Sequence, residues 1–162
     1  MKRIQIDEPN ASAFYGQEKL FYEATRRSIK GITGVELGMH ICFSNDYGRI
    51  AKLAEIPEIK FLSLELANRD TADHEVYRSV INTFEQAGYF GSYALGMTDV
   101  HVDSIESAEL ISERILYCSN IIDPSRIEPA HDCGLRSRTL PIAIEKTKAL
   151  VMGAEMAREK YR

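Results

Sequence analysis

The chain has 162 residues, a formal net charge of -4, 44% hydrophobic and 27% charged residues, and three cysteines. This is the composition of one ordinary cored domain over 1–162, and without a clustered basic face it makes no electrostatic case for nucleic acid. No apolar run approaches the roughly 20 residues that span a bilayer, an acidic residue follows Met1 too soon for a secretion signal, and the odd cysteine count suits reduced thiols in a cytoplasmic protein.

Short β-rich runs alternate with longer helical patterns. The first strand is expected at 3–7 and a helix at 11–29, whose Arg26 and Arg27 read as its solvated side. A strand at 35–43, a short helix at 48–53 and a strand at 60–66 follow. A loop from Ala67 into Thr71 leads to a helix at 72–87, with His74 read as a solvated first-turn residue without a chemical role. A strand at 92–100 precedes a helix at 104–121, capped by Asp103 or Ser104, and Asp123-Pro124 lies just beyond its end. Ile105, Ala108, Ile111, Ile115 and Cys118 recur there at spacings of three and four, which puts Cys118 on the apolar face as a buried hydrophobe. A strand at 126–133 and a helix at 140–161 complete the chain. The rhythm argues for an α/β fold with a parallel sheet.

Four metal-ligand types fall at or near strand C-termini: His40, Cys42, Glu65 and Cys133. His40 and Cys42 are two apart in a strand, so they share a face and can reach one ion. Glu65 ends an apolar strand, where a buried carboxylate needs a partner; a metal is one and Arg69 is another. Cys133 precedes Gly134, whose permissive backbone allows a tight turn beside an ion; a buried structural thiol would account for this position alone but for neither His40 nor Glu65. Two thiolates, an imidazole and a carboxylate suit zinc. On residue type alone, His101 reads as a surface histidine at a helix start, and Asp7 as a cap or salt-bridge carboxylate.

Five motifs in order widen the reading: Ile4-Gln5-Ile6-Asp7-Glu8-Pro9, His40-Ile41-Cys42-Phe43-Ser44-Asn45, Leu64-Glu65, Thr98-Asp99-Val100-His101, and Asp132-Cys133-Gly134-Leu135-Arg136 followed by Arg138. Together they resemble the C-terminal part of the catalytic domain of cobalamin-independent methionine synthase, short core type, over essentially the whole chain. The resemblance implies the last five βα units of a (β/α)8 barrel, with zinc held by His40, Cys42, Glu65 and Cys133. It further implies that Asp7 binds the amino group of homocysteine, and that His101, supported by Asp99, is the proton donor in a methyl transfer that yields methionine.

Two departures matter. A barrel needs eight strands and about 250 residues, and the first three strands have no counterpart here. The expectation is therefore a truncated gene product, a partner chain carrying the front of the barrel, or self-association covering two open sheet edges. Family members usually have Asn-Pro where this chain has Ala130-His131, so His131 becomes a candidate supporting group beside Cys133. Both methyltetrahydrofolate and a methylcorrinoid remain open as donors. The alternatives are a zinc alkyltransferase acting on another thiol, such as coenzyme M, and a non-catalytic zinc-binding subunit of a split barrel.

Overall fold

Five parallel strands form one sheet in chain order: β1 (Arg3–Asp7), β2 (Glu36–Ile41), β3 (Ile59–Leu64), β4 (Ser92–Thr98) and β5 (Ile127–His131). The computed structural model describes residues 2–11, 15–42 and 44–161. Each crossover carries a helical segment: α1 (Glu18–Ile29), a 3-10 helix at Tyr47–Glu55, α2 (Glu75–Gln86) and α3 (Ala108–Ser119), with α4 (Leu140–Glu159) after β5. The α/β class and the expected strand order are thus present, as five consecutive βα units of a (β/α)8 barrel. Among the described residues, no helix is long and apolar enough to cross a membrane.

Alternation along the strands separates two layers. Met39, Ile41, Leu62, Leu64, Tyr93, Leu95 and Met97 are at most 1% exposed and pack with Ile50, Leu53, Tyr77, Ile81, Phe84 and Ile111 of the helical layer. The opposite face carries Arg3, Gly38, His40, Phe61, Ser63 and Glu128, brought into line by the register pairs Gly38 with Phe61 and His40 with Ser63. This inner face is strongly curved. Flat strands about 4.8 Å apart would place the edges β1 and β5 roughly 19 Å from each other, far beyond the reach of an Arg–Glu pair. Arg3 on β1 nevertheless donates to both oxygens of Glu128 on β5, at 2.5 and 2.6 Å. Its guanidinium also bonds Glu36 and lies 4.0 Å from the Phe61 ring centroid. Phe61 occupies the space that a side chain on Gly38 would need: a Cβ there would stand 2.2 Å from the ring.

Several boundaries differ from the sequence expectation, for identifiable reasons. The helix expected from residue 11 begins at Glu18; residues 12–14 lie outside those described. The segment expected as a short helix at 48–53 is a 3-10 helix over Tyr47–Glu55, in which buried Tyr47, Ile50 and Leu53 recur every three residues, the period of that helix. Helix α3 starts at Ala108 with Ser107 as its cap, Oγ accepting from Leu110 N at 3.2 Å, rather than at Asp103 or Ser104. Ser104 and Glu106 are held in a loop by Lys146, which keeps Ile105 off the helix and 41% exposed. His74 is buried, not solvated: it adopts φ 56° ahead of α2, and its Nδ1 lies 2.9 Å from Asp70, which also takes a bond from Arg114. Cys118 sits fully buried in the core, as its apolar face predicts.

Candidate metal centre

His40 is the next-to-last residue of β2, Cys42 follows that strand, and Cys133 follows β5 by two residues. Their ligand atoms all lie within 4.8 Å of one another. The fold therefore brings together three of the four predicted ligands from positions 93 residues apart, with His40 Nε2 3.4 Å from Cys133 Sγ. The other ring nitrogen, Nδ1, lies 2.9 Å from Ser63 Oγ, which fixes the orientation that turns Nε2 toward the thiol. Burial, followed by the charge and hydrogen bond of Cys133 and then the charge of Glu65, pushes the Cys42 thiol up to about 12. Two sulfurs and a carboxylate so close destabilise one another's ionised forms, and a cation among them would reverse the sign of that interaction. By donor chemistry and proximity, His40, Cys42 and Cys133 can hold a metal ion.

Glu65, the first residue after β3, is 1% exposed and stands just outside this trio. Its Oε1 accepts from Asn68 Nδ2 at 2.5 Å and lies 2.8 Å from His101 Nε2. Arg69 does not form the alternative ion pair; it donates to the Glu65 backbone oxygen at 3.0 Å. His101 is only partly exposed and follows β4 in a loop. Asp99 Oδ1 accepts the His101 backbone N–H at 2.7 Å, so Asp99 sets the loop and Glu65 meets the ring. Asp7 ends β1 in register with His40, on the same face, and is exposed apart from a bond from Gln5 Nε2 at 2.9 Å.

Asp132, missed as a functional residue, staples the site. It is fully buried, and its two carboxylate oxygens accept the backbone N–H groups of Leu66, Ala67 and Asn68, each at 2.8 Å. The turn after Glu65 is thereby fastened to the residue before Cys133. Burial, working against these three donors, raises the Asp132 carboxyl to about 6. Gly96 makes the room: a Cβ there would stand 1.9 Å from Asp132 Oδ1. Tyr47 adds a second tie, its hydroxyl accepting Glu65 N–H at 3.1 Å and lying 3.3 Å from Ile41 O. The signal for Asp132 was an acidic residue closing a strand, the same signal that singled out Glu65.

Two expectations near Cys133 are corrected. Gly134 has φ -65°, an ordinary value, so no glycine-specific turn is used there. His131 does not accompany Cys133: Nδ1 lies 2.5 Å from Thr98 Oγ1 and Nε2 3.2 Å from Thr147 Oγ1 on α4. The reason is that β5 ends at His131, so the strand alternation on which the expectation rested does not carry on to Cys133.

The fold is that of an α/β barrel-type protein, with a thiol–imidazole group able to hold a cation at the C-terminal ends of curled parallel strands. The model of one family, described as the catalytic domain of cobalamin-independent synthase, matches residues 1–156, and the chain belongs to that family. It is 35% identical over 162 residues to a methionine synthase of Thermoplasma acidophilum, covering 92% of this chain and 46% of that protein. With a methionine synthase of Thermococcus kodakarensis the identity is 31% over 157 residues, covering 97% and 44%. Among solved structures, a B12-independent methionine synthase from Shewanella sp. W3-18-1, in complex with selenomethionine, superposes with a TM-score of 0.82 at 22% identity. That likeness, over 99% of this chain and 49% of the other, is one of fold. The chain thus spans a little under half the length of these relatives.

Proposed function

We propose that residues 1–162 are the zinc-bearing part of a cytoplasmic methyltransferase that converts homocysteine to methionine, in the manner of 5-methyltetrahydropteroyltriglutamate-homocysteine S-methyltransferase. The observation that carries this reading is the convergence of His40, Cys42 and Cys133 within 4.8 Å, with the Glu65–His101 pair beside them. Zinc is the ion this donor set suits best, with Glu65 as the fourth ligand. When bound, zinc would stabilise the thiolate of homocysteine at neutral pH, where a free thiol is mostly protonated.

The chain's own groups divide the remaining work. Asp7, exposed and in register with His40, binds the ammonium group of homocysteine and so aims its sulfur inward. The sulfur attacks the methyl carbon as the bond from that carbon to the donor breaks. With methyltetrahydrofolate as donor, His101, held on Glu65 through Nε2, gives a ring proton to the departing folate nitrogen, which is a poor leaving group unprotonated. With a methylcorrinoid the bonding electron pair stays on cobalt and no proton is needed. Asp99 holds the His101 backbone in place. The unpaired edges β1 and β5 are covered by self-association or by a partner chain completing the barrel.

The test is zinc content per chain with solution mass, followed by methyl transfer to homocysteine from each donor. One zinc per chain, lost together with activity in Cys133→Ala, is expected; a metal-free protein with undiminished activity would refute the reading. Because the chain forms five strands and spans under half of its relatives, a second reading is a non-catalytic zinc-binding subunit. A folded, zinc-loaded chain that stays inactive with both donors even when the remaining strands of the barrel are supplied would favour it.

A further inference from the structure

Lys146 lies within α4 with no exposed surface, although a lysine ammonium is among the costliest groups to bury. It is satisfied by the loop between β4 and α3: Nζ donates to Ser104 O at 2.5 Å and to Glu106 Oε2 at 2.9 Å. The second oxygen of Glu106 accepts the Asp99 backbone N–H at 2.7 Å. Asp99 in turn accepts the His101 N–H at 2.7 Å, and the His101 ring reaches Glu65 at 2.8 Å. An unbroken series of bonds therefore runs from a buried cation on α4 to the carboxylate beside the metal-ligand trio. The helices themselves have no need of it, since α3 and α4 already pack through Ile111 and Gly153, where a Cβ would stand 2.5 Å from Ile111.

We propose that Glu106 and Lys146 are positioning residues, which fix the loop bearing His101 so that its imidazole stays on Glu65. The geometric part is independent of any reaction; its consequence for catalysis rests on the proposed function. Loops are the least rigid places to hold a reacting group, and a displacement of about 1 Å at such a group costs up to roughly 100-fold in rate. Anchoring the loop to a helix through a buried ion pair supplies that rigidity.

The experiment uses the full chain loaded with zinc and reads the His101 ring by nitrogen–proton NMR correlation. In the parent protein, the Nε2 proton shared with Glu65 should exchange slowly enough to be seen. Glu106→Ala should abolish that resonance while the chain remains folded, whereas Glu85→Gln, which weakens the distant ion pair with Arg126, should leave it unchanged. The double variant Glu106→Gln/Lys146→Met leaves no buried charge unpaired and keeps an oxygen for the Asp99 N–H, but it removes the anchor to α4, so it should fold and lose the resonance. It also decides the matter if Glu106→Ala does not fold. An unchanged resonance in folded Glu106→Ala, or in the folded double variant, would overturn the proposal. Where methyl transfer is measurable, Glu106→Ala should lower kcat about 10- to 100-fold with little change in KM for homocysteine. A chain that lacks methyl transfer but loses the resonance as expected would refute the function and leave the positioning role standing; the converse pattern would do the reverse.

Discussion

Gly96→Ala is the sharpest test of the staple built by Asp132. The new Cβ would stand 1.9 Å from Asp132 Oδ1 and 2.9 Å from its Cα and Cγ, so both carboxylate and backbone are in the way. No rotation of one flexible tip relieves this. The carboxylate must withdraw far enough to leave the 2.8 Å bonds to Leu66, Ala67 and Asn68. Hydrogen bonds to a charged group are worth about 1.5–3 kcal/mol each, so the low end for three gives roughly 4 kcal/mol. At about 2–4 °C per kcal/mol for a domain of this size, the midpoint of thermal unfolding should fall by about 10 °C. Because Asp132 also fixes the turn after Glu65 and the approach to Cys133, zinc affinity should fall in the variant that remains folded below its midpoint. Asp132→Asn, which retains acceptors for only part of the set, should show a smaller loss of about 1–3 kcal/mol. Calorimetry and zinc titration of the two variants decide the matter. A Gly96→Ala protein within about 0.5 kcal/mol of the parent, binding zinc equally well, would refute the reasoning.

Gly38→Ala drives a methyl group into the Phe61 ring at 2.2 Å and should cost about 1–3 kcal/mol in chemical denaturation, as overpacking does; an unaltered midpoint would mean that Phe61 moves freely. The Glu128 carboxyl is held below its ordinary value of 4.5 first by the hydrogen bond from Arg3. A depressed folded value adds stability that is fully present above about 4.5 and lost as the pH falls through the folded value. Arg3 and Glu128 are 40% and 34% exposed, so screening keeps the effect under about 1 kcal/mol. The melting difference between the parent and Glu128→Gln should therefore be constant from about pH 7 to 5 and shrink as the pH falls below about 4.5; a difference that grows on acidification would contradict the sign. The Cys42 thiol, pushed up to about 12, is protonated at neutral pH before metal enters. Zinc binding should consequently release protons, seen as a buffer-dependent heat in titration calorimetry, and a buffer-independent heat would count against Cys42 as a ligand.

The central strands β2, β3 and β4 were legible because a parallel strand buried on both sides leaves a dense apolar run between helical patterns; β1 and β5 are exposed or half-buried, yet all five strands overlap their expected positions. Helix starts were less legible because they are decided by contacts from distant segments. Nothing local distinguishes Ser104 from Ser107 as a cap; Lys146, 42 residues away, takes the Ser104 carbonyl and settles it. His74 has the same history, since its burial depends on Asp70 and on Arg114 in a later helix. In the candidate site, His40 and Cys42 followed from strand periodicity, whereas His131 was misplaced because the strand ends there and its alternation does not reach Cys133. Asp132 was hidden by its neighbour: within Asp132-Cys133-Gly134 the thiol drew the chemical reading, and the carboxylate beside it turns out to bind three backbone amides.

The two ends of the curved sheet solve different problems. At the N-terminal end, Arg3 joins the edge strands β1 and β5 through Glu128, with Phe61 packed beneath its guanidinium. At the C-terminal end no described residue bridges β1 to β5 in this way; instead Asp132 binds the β5 end to the turn after β3, and Tyr47 binds that turn to β2. All three residues of the metal-ligand trio come from β2 and β5, and Glu65 comes from β3, so the ties run between the strands that supply them. Asp7 on β1 stands outside those ties and is exposed. On the role proposed for Asp7, completing the barrel beside β1 should matter little for metal binding and greatly for holding homocysteine by its amino group. Zinc uptake by the chain alone, with homocysteine affinity restored only when the missing strands are supplied, is the expected outcome; homocysteine bound equally tightly by the isolated chain would remove the ground for that division.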